Sequence, residues 1–203
     1  MDLPVTIKTE SLINPAANIR VHYPMVTGLN NPVTERMINT AIIEQLNRML
    51  LDLGYHDQNL QEMVGFYEIK TNERRILSLL LIVYSYTGGA HGLTLSKSLS
   101  FNVDSGKQYA LYELFKPNAP YVEKLSQIIS KKINDWNIQL LEPFTQIRKD
   151  QDFYLADHSL VIFFQLYEIT PYVAGFPYFP IPILNLTDIM SDTGPLPKLL
   201  PFT

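Results

Sequence analysis

The chain predicts an α+β fold, an antiparallel β-sheet with two main helices packed on it. Three observations carry this. Two long segments repeat apolar residues at helical spacing, several shorter ones alternate apolar and polar residues or run apolar, and Gly, Pro and Asn punctuate the joins.

The first strands are Val5–Thr9 and Asn18–Pro24, an alternating pair joined across Asn14-Pro15, with Pro24 ending the pairing. The first helix runs from Pro32 to Leu53. Asn31 is its N-cap, and Pro32 takes the first helical position, where a missing N–H costs nothing. Val33, Met37, Ala41, Ile42, Leu46, Met49 and Leu53 make its apolar face, and Gly54 stops it. A β-rich block follows: 63–70 and 75–86 flank a turn at Thr71-Asn-Glu-Arg, and 93–103 ends in the turn Asp104-Ser-Gly-Lys. The run Leu79-Leu-Leu-Ile-Val-Tyr is apolar on both faces and predicts a central, doubly covered strand.

Leu111–Phe115 leads into the second helix, started by Asn118 and Pro120 and lined by Val122, Leu125, Ile129, Ile133 and Trp136. A hairpin around Ala156-Asp-His-Ser comes next. An aromatic, proline-rich passage then leads to a last strand at 181–184, which Pro180 and Pro182 place at an edge. By this reading residues 1–60 are a β-β-α half and 61–190 a sheet-and-helix half of one unit. The Pro-rich tail, 191–203, is mobile or lies along the surface.

Composition removes several function classes. Net charge is −4 and the sequence pI about 5.5. Lys and Arg are dispersed with no basic stripe, so nucleic acid is not the expected partner. The absence of cysteine excludes thiolate catalysis and Cys-based zinc. No segment reads as a signal peptide or membrane span, so the expectation is no membrane insertion and, as the chain stands, a cytoplasmic place. Phosphate loops, nucleophile elbows and zinc-helix motifs are missing, the four histidines lack metal-ligand spacing, and no cofactor or metal is expected.

Two strings stand out. Thr87-Gly-Gly-Ala-His-Gly demands unusual backbone between two strands, with Gly88 and Gly89 supplying positive φ. His91 is either an acid–base or ligand group at a strand end or a turn residue bonded to nearby backbone. Asp157-His158-Ser159 has triad residue types, but adjacent residues cannot converge as a triad, so it reads as turn chemistry. Tyr172, Phe176 and Tyr178 form either a binding platform or a core edge. Glu168, closing an apolar strand, requires a partner if buried, such as a backbone N–H of the following loop.

Tyr84-Ser-Tyr-Thr-Gly-Gly-Ala-His-Gly, Phe153-Tyr-Leu, Leu160-Val-Ile-Phe-Phe-Gln-Leu-Tyr-Glu-Ile-Thr-Pro-Tyr-Val-Ala-Gly and the N-terminal Ile19-Arg-Val-His-Tyr-Pro-Met-Val-Thr-Gly-Leu together resemble one domain family. It is the family of the lysozyme-sensing outer region of the anti-sigma-V factor, also found beside the catalytic domain of the peptidoglycan deacetylase PdaC. The resemblance covers residues 5 to 185. It implies a non-enzymatic binding module whose ligand is a basic protein such as lysozyme, or peptidoglycan fragments, and the resembled domains are extracytoplasmic. Two other expectations stay open: a cytoplasmic structural or assembly protein, and a small-ligand or hydrolytic pocket near His91. The candidate ligand-binding residues are Gly88, Gly89, His91, Glu168, Tyr172, Phe176 and Tyr178.

Overall fold

A computed structural model describes residues 3–201 of the chain. It divides into two compact units, one up to Gln108 and the other from Tyr109. The division therefore falls at 108/109 and not at residue 60, because the first hairpin shares a sheet with the strands that follow it.

In the first unit five strands lie in the order of the chain: β1 (Thr6–Asn14), β2 (Ile19–Thr27), β3 (Glu62–Glu73), β4 (Ile76–Tyr86) and β5 (Leu93–Asn102). All neighbours are antiparallel except β2 and β3, which pair in parallel over three residues from Ile19 to Val21. The helix α1 (Pro32–Asp52) is the crossover that parallel pairing requires. Where β2 meets β3, a Cβ on Gly65 would stand 2.6 Å from Val21 Cγ1, so only glycine permits this approach.

Pro24 does not end the β1–β2 ladder; it pairs with Thr9, and the strand continues to Thr27. The amide and carbonyl of Val26 are taken by the Asn39 carboxamide at 2.8 and 2.9 Å, on the side away from β1. By strand alternation Pro24's missing N–H faces that same side, beyond the short β3 pairing, where no ladder bond is lost. The β3–β4 turn also falls later than expected. Arg74 and Arg75, at φ 48° and 66°, form its two central positions, a geometry that Asn-Gly ordinarily supplies.

In α1 the Asn31 side chain accepts the Val33 N–H at 2.9 Å, as its cap position predicts. The buried face is Thr34, Ile38, Ile42, Leu46, Met49 and Leu50, while Val33 and Met37 lie about half exposed. They pack with Ala41 along a shallow groove beside Gly106. Strand β4 is buried on both faces from Ile76 to Leu81, but it lies between β3 and β5, one place from the edge.

The second unit opens with a 3-10 turn at Leu111–Leu114, then α2 (Tyr121–Asp135), and has a sheet in the order β6 (Phe153–Ala156), β7 (Ser159–Phe163) and β8 (Tyr178–Pro182). β8 begins three residues before the expected 181, and residues 183–186 form a 3-10 turn. Its prolines stand at an edge, as expected. Helix α2 buries Leu125, Ser126, Ile129 and Ile133; Trp136 at its end is about half exposed, stacked on Phe179 at 5.9 Å with Lys132 Nζ 4.7 Å above its ring. As far as residue 201 the Pro-rich tail is not a surface strap, and the expectation for 202–203 lies outside the described residues. Leu196 and Leu199 are fully buried, Met190 bridges Phe115, and the Leu199 carbonyl lies 2.7 Å from His158 Nδ1. Three leucines in five residues outweigh the prolines, which fix backbone without removing apolar area to bury.

Candidate functional site

The glycine-rich string is the loop of the β4–β5 hairpin. Gly88 and Gly89 have φ of 103° and 98°, as their position demands. The tyrosines of the string build the loop. Tyr86 donates its hydroxyl to the Gly89 carbonyl at 2.8 Å, and the Tyr84 ring lies so close that a Cβ on Gly92 would meet it at 2.3 Å. Ser85 donates to the Leu53 carbonyl at 2.8 Å, tying the strand to the end of α1. His91 is exposed, with Nδ1 2.9 Å from the Gly92 carbonyl. It borders a depression of about 280 Å³ with Asp52 and Asp57. The backbone-bonded reading of His91 is the one the geometry matches.

Asp157 and His158 form the β6–β7 turn, Asp157 at φ 48°, so the triad-like string is turn chemistry. Among the described residues no three His, Asp or Glu side chains are grouped as a metal would require.

The second passage has a different construction. Gln165 to Glu168 is a tight turn in which the Glu168 amide donates to the Gln165 carbonyl at 3.1 Å. Glu168 Oε2 returns a bond by accepting the Gln165 N–H at 2.7 Å. Its backbone partner thus precedes it in the chain, instead of following as expected. Oε1 is ion-paired with Arg148 and accepts from Gln151 Nε2 at 3.1 Å. The buried Gln151 also donates to the Phe163 carbonyl at 2.9 Å, so it ties the turn to the end of β7. Every acceptor of a mostly buried carboxylate is engaged, which is what burial of a charge requires. Sequence reading missed Arg148 and Gln151. The signal was available in Glu168 itself, since a carboxylate at the end of an apolar strand needs a cation.

The clamp holds Tyr167 at φ 64°, a left-handed backbone that a tyrosine enters at a cost of about 1–3 kcal/mol. Its ring is about half exposed and lies 5.5 Å from the Tyr172 ring. Tyr172 opens the 3-10 turn Tyr172–Ala174, whose Val173 is 92% exposed. Phe176 and Tyr178 form a second group: Phe176 touches Tyr178, and Tyr178, itself partly exposed, packs on the buried Phe163 and Tyr154. The expected platform therefore consists of two ring groups, the Tyr167–Tyr172 pair and a chain from Phe176 through Tyr178 to Phe163 and Tyr154. Gly88, Gly89 and His91 belong to the first unit; Glu168, Tyr172, Phe176 and Tyr178 belong to the second.

Two family models match the chain, "Deacetylase PdaC" over residues 12–94 and "Protein of unknown function (DUF3298)" over 112–183. These matches support the domain family that the sequence resembles. Among curated proteins it is 26% identical to the anti-sigma-V factor RsiV of Bacillus subtilis, over 86% of this chain and 66% of that protein. It is 25% identical to the peptidoglycan-N-acetylmuramic acid deacetylase PdaC of the same organism, over 86% of this chain and 39% of that protein. The chain thus spans less than two thirds of the length of either relative. Two crystal structures share its fold, both with a TM-score of 0.68. A DUF3298 family member from Bacteroides fragilis is 13% identical, with 96% of this chain and 95% of that one covered. A DUF3298 family protein from Pseudomonas aeruginosa is 16% identical, with 100% and 99% covered. At family level these relatives fit a non-catalytic binding module.

Proposed function

We propose that the protein is a non-catalytic module that recognises a basic protein of the lysozyme kind through the Tyr167–Tyr172 face of its second unit. The observation that carries this is the exposed tyrosine at positive φ beside a mostly buried Glu168 that is ion-paired with a half-exposed Arg148. Strain of this kind persists where the surroundings over-determine it, and it collects at binding sites. Paired tyrosines offer large contact area at small cost in side-chain entropy. The acidic balance of the chain favours a basic partner and faster encounter with it.

The test is a calorimetric titration of the whole chain with a catalytically inactive c-type lysozyme, repeated across a salt series. An acidic protein of similar size and the variant Tyr172→Ser serve as controls. Saturable binding that weakens with salt and is lost in Tyr172→Ser supports the reading. Absence of heat with lysozyme, or equal binding by the variant, overturns it.

A further inference from the structure

Strand β1 stands first in the five-stranded sheet, so β2 pairs with one of its sides and no described strand pairs with the other. Two observations show which backbone groups point to the open side. The Val26 N–H and C=O turn away from β1 to the Asn39 carboxamide, and Pro24, which has no N–H, keeps its place opposite Thr9. Ile7–Val26 and Thr9–Pro24 are therefore non-hydrogen-bonded pairs of the ladder. By alternation Ile7, Thr9, Ser11 and Ile13 turn their N–H and C=O groups outward, while Thr6, Lys8, Glu10 and Leu12 bond to β2. Among the described residues nothing bonds to those outward groups. The open stretch starts after Val5, whose N–H and C=O are taken by Asn72 at 3.3 and 2.9 Å. At the opposite edge β5 is partly closed by its own turn, where Phe101 bridges Gln108. Edges left open in this way are commonly blunted by proline, a bulge or an unpaired charge. β1 has no proline and pairs without a register shift, and its two charges, Lys8 and Glu10, are ion-paired with each other.

We propose that this edge pairs with the same edge of a second copy of the chain, two β1 strands running antiparallel about a two-fold axis at Thr9. The charge order of the strand selects both the occupant and the register. Outward groups must meet outward groups, so Ile7, Thr9, Ser11 and Ile13 oppose one another across the axis. With Thr9 opposite Thr9 of the second copy, Ile7 opposes Ser11 and Ser11 opposes Ile7, and each such pair exchanges both its N–H···O bonds. Between them Lys8 falls opposite Glu10 of the second copy, and Glu10 opposite its Lys8, at the close spacing of non-hydrogen-bonded pairs. Moving the axis to Lys8 sets lysine against lysine, and moving it to Glu10 sets glutamate against glutamate, both unfavourable. An unrelated extended peptide meets the same backbone groups, but it matches the charges only if it carries the reverse order. A second antiparallel copy carries that order by symmetry, as an isologous contact demands. The contact is one strand wide, at the small end of specific interfaces, so the dimer is reversible. The pairing lies in the first unit and is independent of the Tyr167–Tyr172 reading.

The experiment is sedimentation equilibrium of the whole chain over a concentration series. The expected result is a monomer–dimer equilibrium with a dissociation constant on the order of tens of micromolar. Thr9→Pro removes an outward N–H and no bond to β2, and proline is tolerated at such an edge position. It should abolish the dimer while circular dichroism and lysozyme binding per chain stay unchanged, which keeps this proposal and the tyrosine reading distinguishable. Lys8→Glu and Glu10→Lys should each weaken self-association about tenfold, because like charges then face each other. Mixed in equal amounts, these two variants should pair as tightly as the parent chain, since one strand then offers two acids and the other two bases. Both side chains are exposed, so the charge variants decide the matter even if Thr9→Pro unfolds. Thr9→Cys, in a chain with no other cysteine, should form a disulfide-linked dimer on oxidation, whereas an axis at Lys8 or Glu10 holds the two sulfurs too far apart. A monomer throughout the series, a dimer indifferent to a folded Thr9→Pro, a mixture no tighter than either charge variant by itself, or the absence of the cross-link overturns the inference.

Discussion

At the 87–92 loop the chain reaches positive φ with glycines, at Gly88 and Gly89; at the 165–168 turn it does so with a tyrosine. The first loop folds its aromatics onto itself, Tyr86 on Gly89 and Tyr84 over Gly92. The second uses the Glu168 carboxylate, bonded to the Gln165 amide, Gln151 and Arg148, to fix a turn that carries a half-exposed ring. Both strings are unusual as sequence, and each is built by its own local bonds, the first on backbone carbonyls and the second on a carboxylate. Distinctiveness in a string therefore marks a demand on the backbone, met by glycine in the first loop and by a carboxylate clamp in the second.

The comparison can be broken most severely at Gly92. Its Cβ would stand 2.4 Å from the Ser85 carbonyl oxygen, which is backbone and cannot step aside. Gly92→Ala should destabilise the protein by about 3 kcal/mol, read as a lower urea midpoint with unchanged m-value. Next comes Glu168→Ala, which frees the Gln165 amide and Gln151. Arg148 is half exposed and recovers water, so the expected loss is about 1–2 kcal/mol, with lysozyme binding weakened as Tyr167 relaxes. Tyr167→Gly sharpens the contrast: relief of the left-handed backbone should raise stability by about 1 kcal/mol while lysozyme binding falls. A loss of both, in thermal melts and titrations, would make Tyr167 a fold residue like Tyr84.

The smallest effect lies at Asp188, ion-paired with Lys124 at the surface of the second unit. The hydrogen bond from Lys124 holds its carboxyl below the usual aspartate range. A carboxyl lowered in the folded state contributes stability above its unfolded pKa and loses it as pH falls through the folded one. Asp188→Asn should therefore leave the acid limb of the stability curve slightly flatter, with little change at neutral pH.

Much of the fold was legible. The caps of α1 were read from Asn31 and Pro32, and the β6–β7 turn from Asp157-His158, because those residues act through short-range chemistry. Of the helix face Ile42, Leu46, Met49 and Leu53 were read correctly, and only its first turns were read one stripe away, since Val33 and Met37 share the spacing of Thr34 and Ile38 and periodicity alone does not choose between adjacent stripes. The Arg74-Arg75 turn carries no turn residue, and its geometry is imposed by pairing on both sides. Of the site, the tyrosines and Glu168 were legible. Arg148 and Gln151 were not, because their meaning depends on which distant carbonyl or carboxylate they meet.

Trp136 has an optical consequence. It is the chain's single tryptophan, and it lies in the second unit against Phe179 with a lysine ammonium over its ring. Its fluorescence reports that unit alone, without a label, while circular dichroism of the backbone averages over both. Coincident midpoints from the two signals would mean that the units melt as one cooperative body, and separated midpoints would order them by stability. The same emission gives a direct readout of whether a ligand taken up by the second unit is felt at the end of α2.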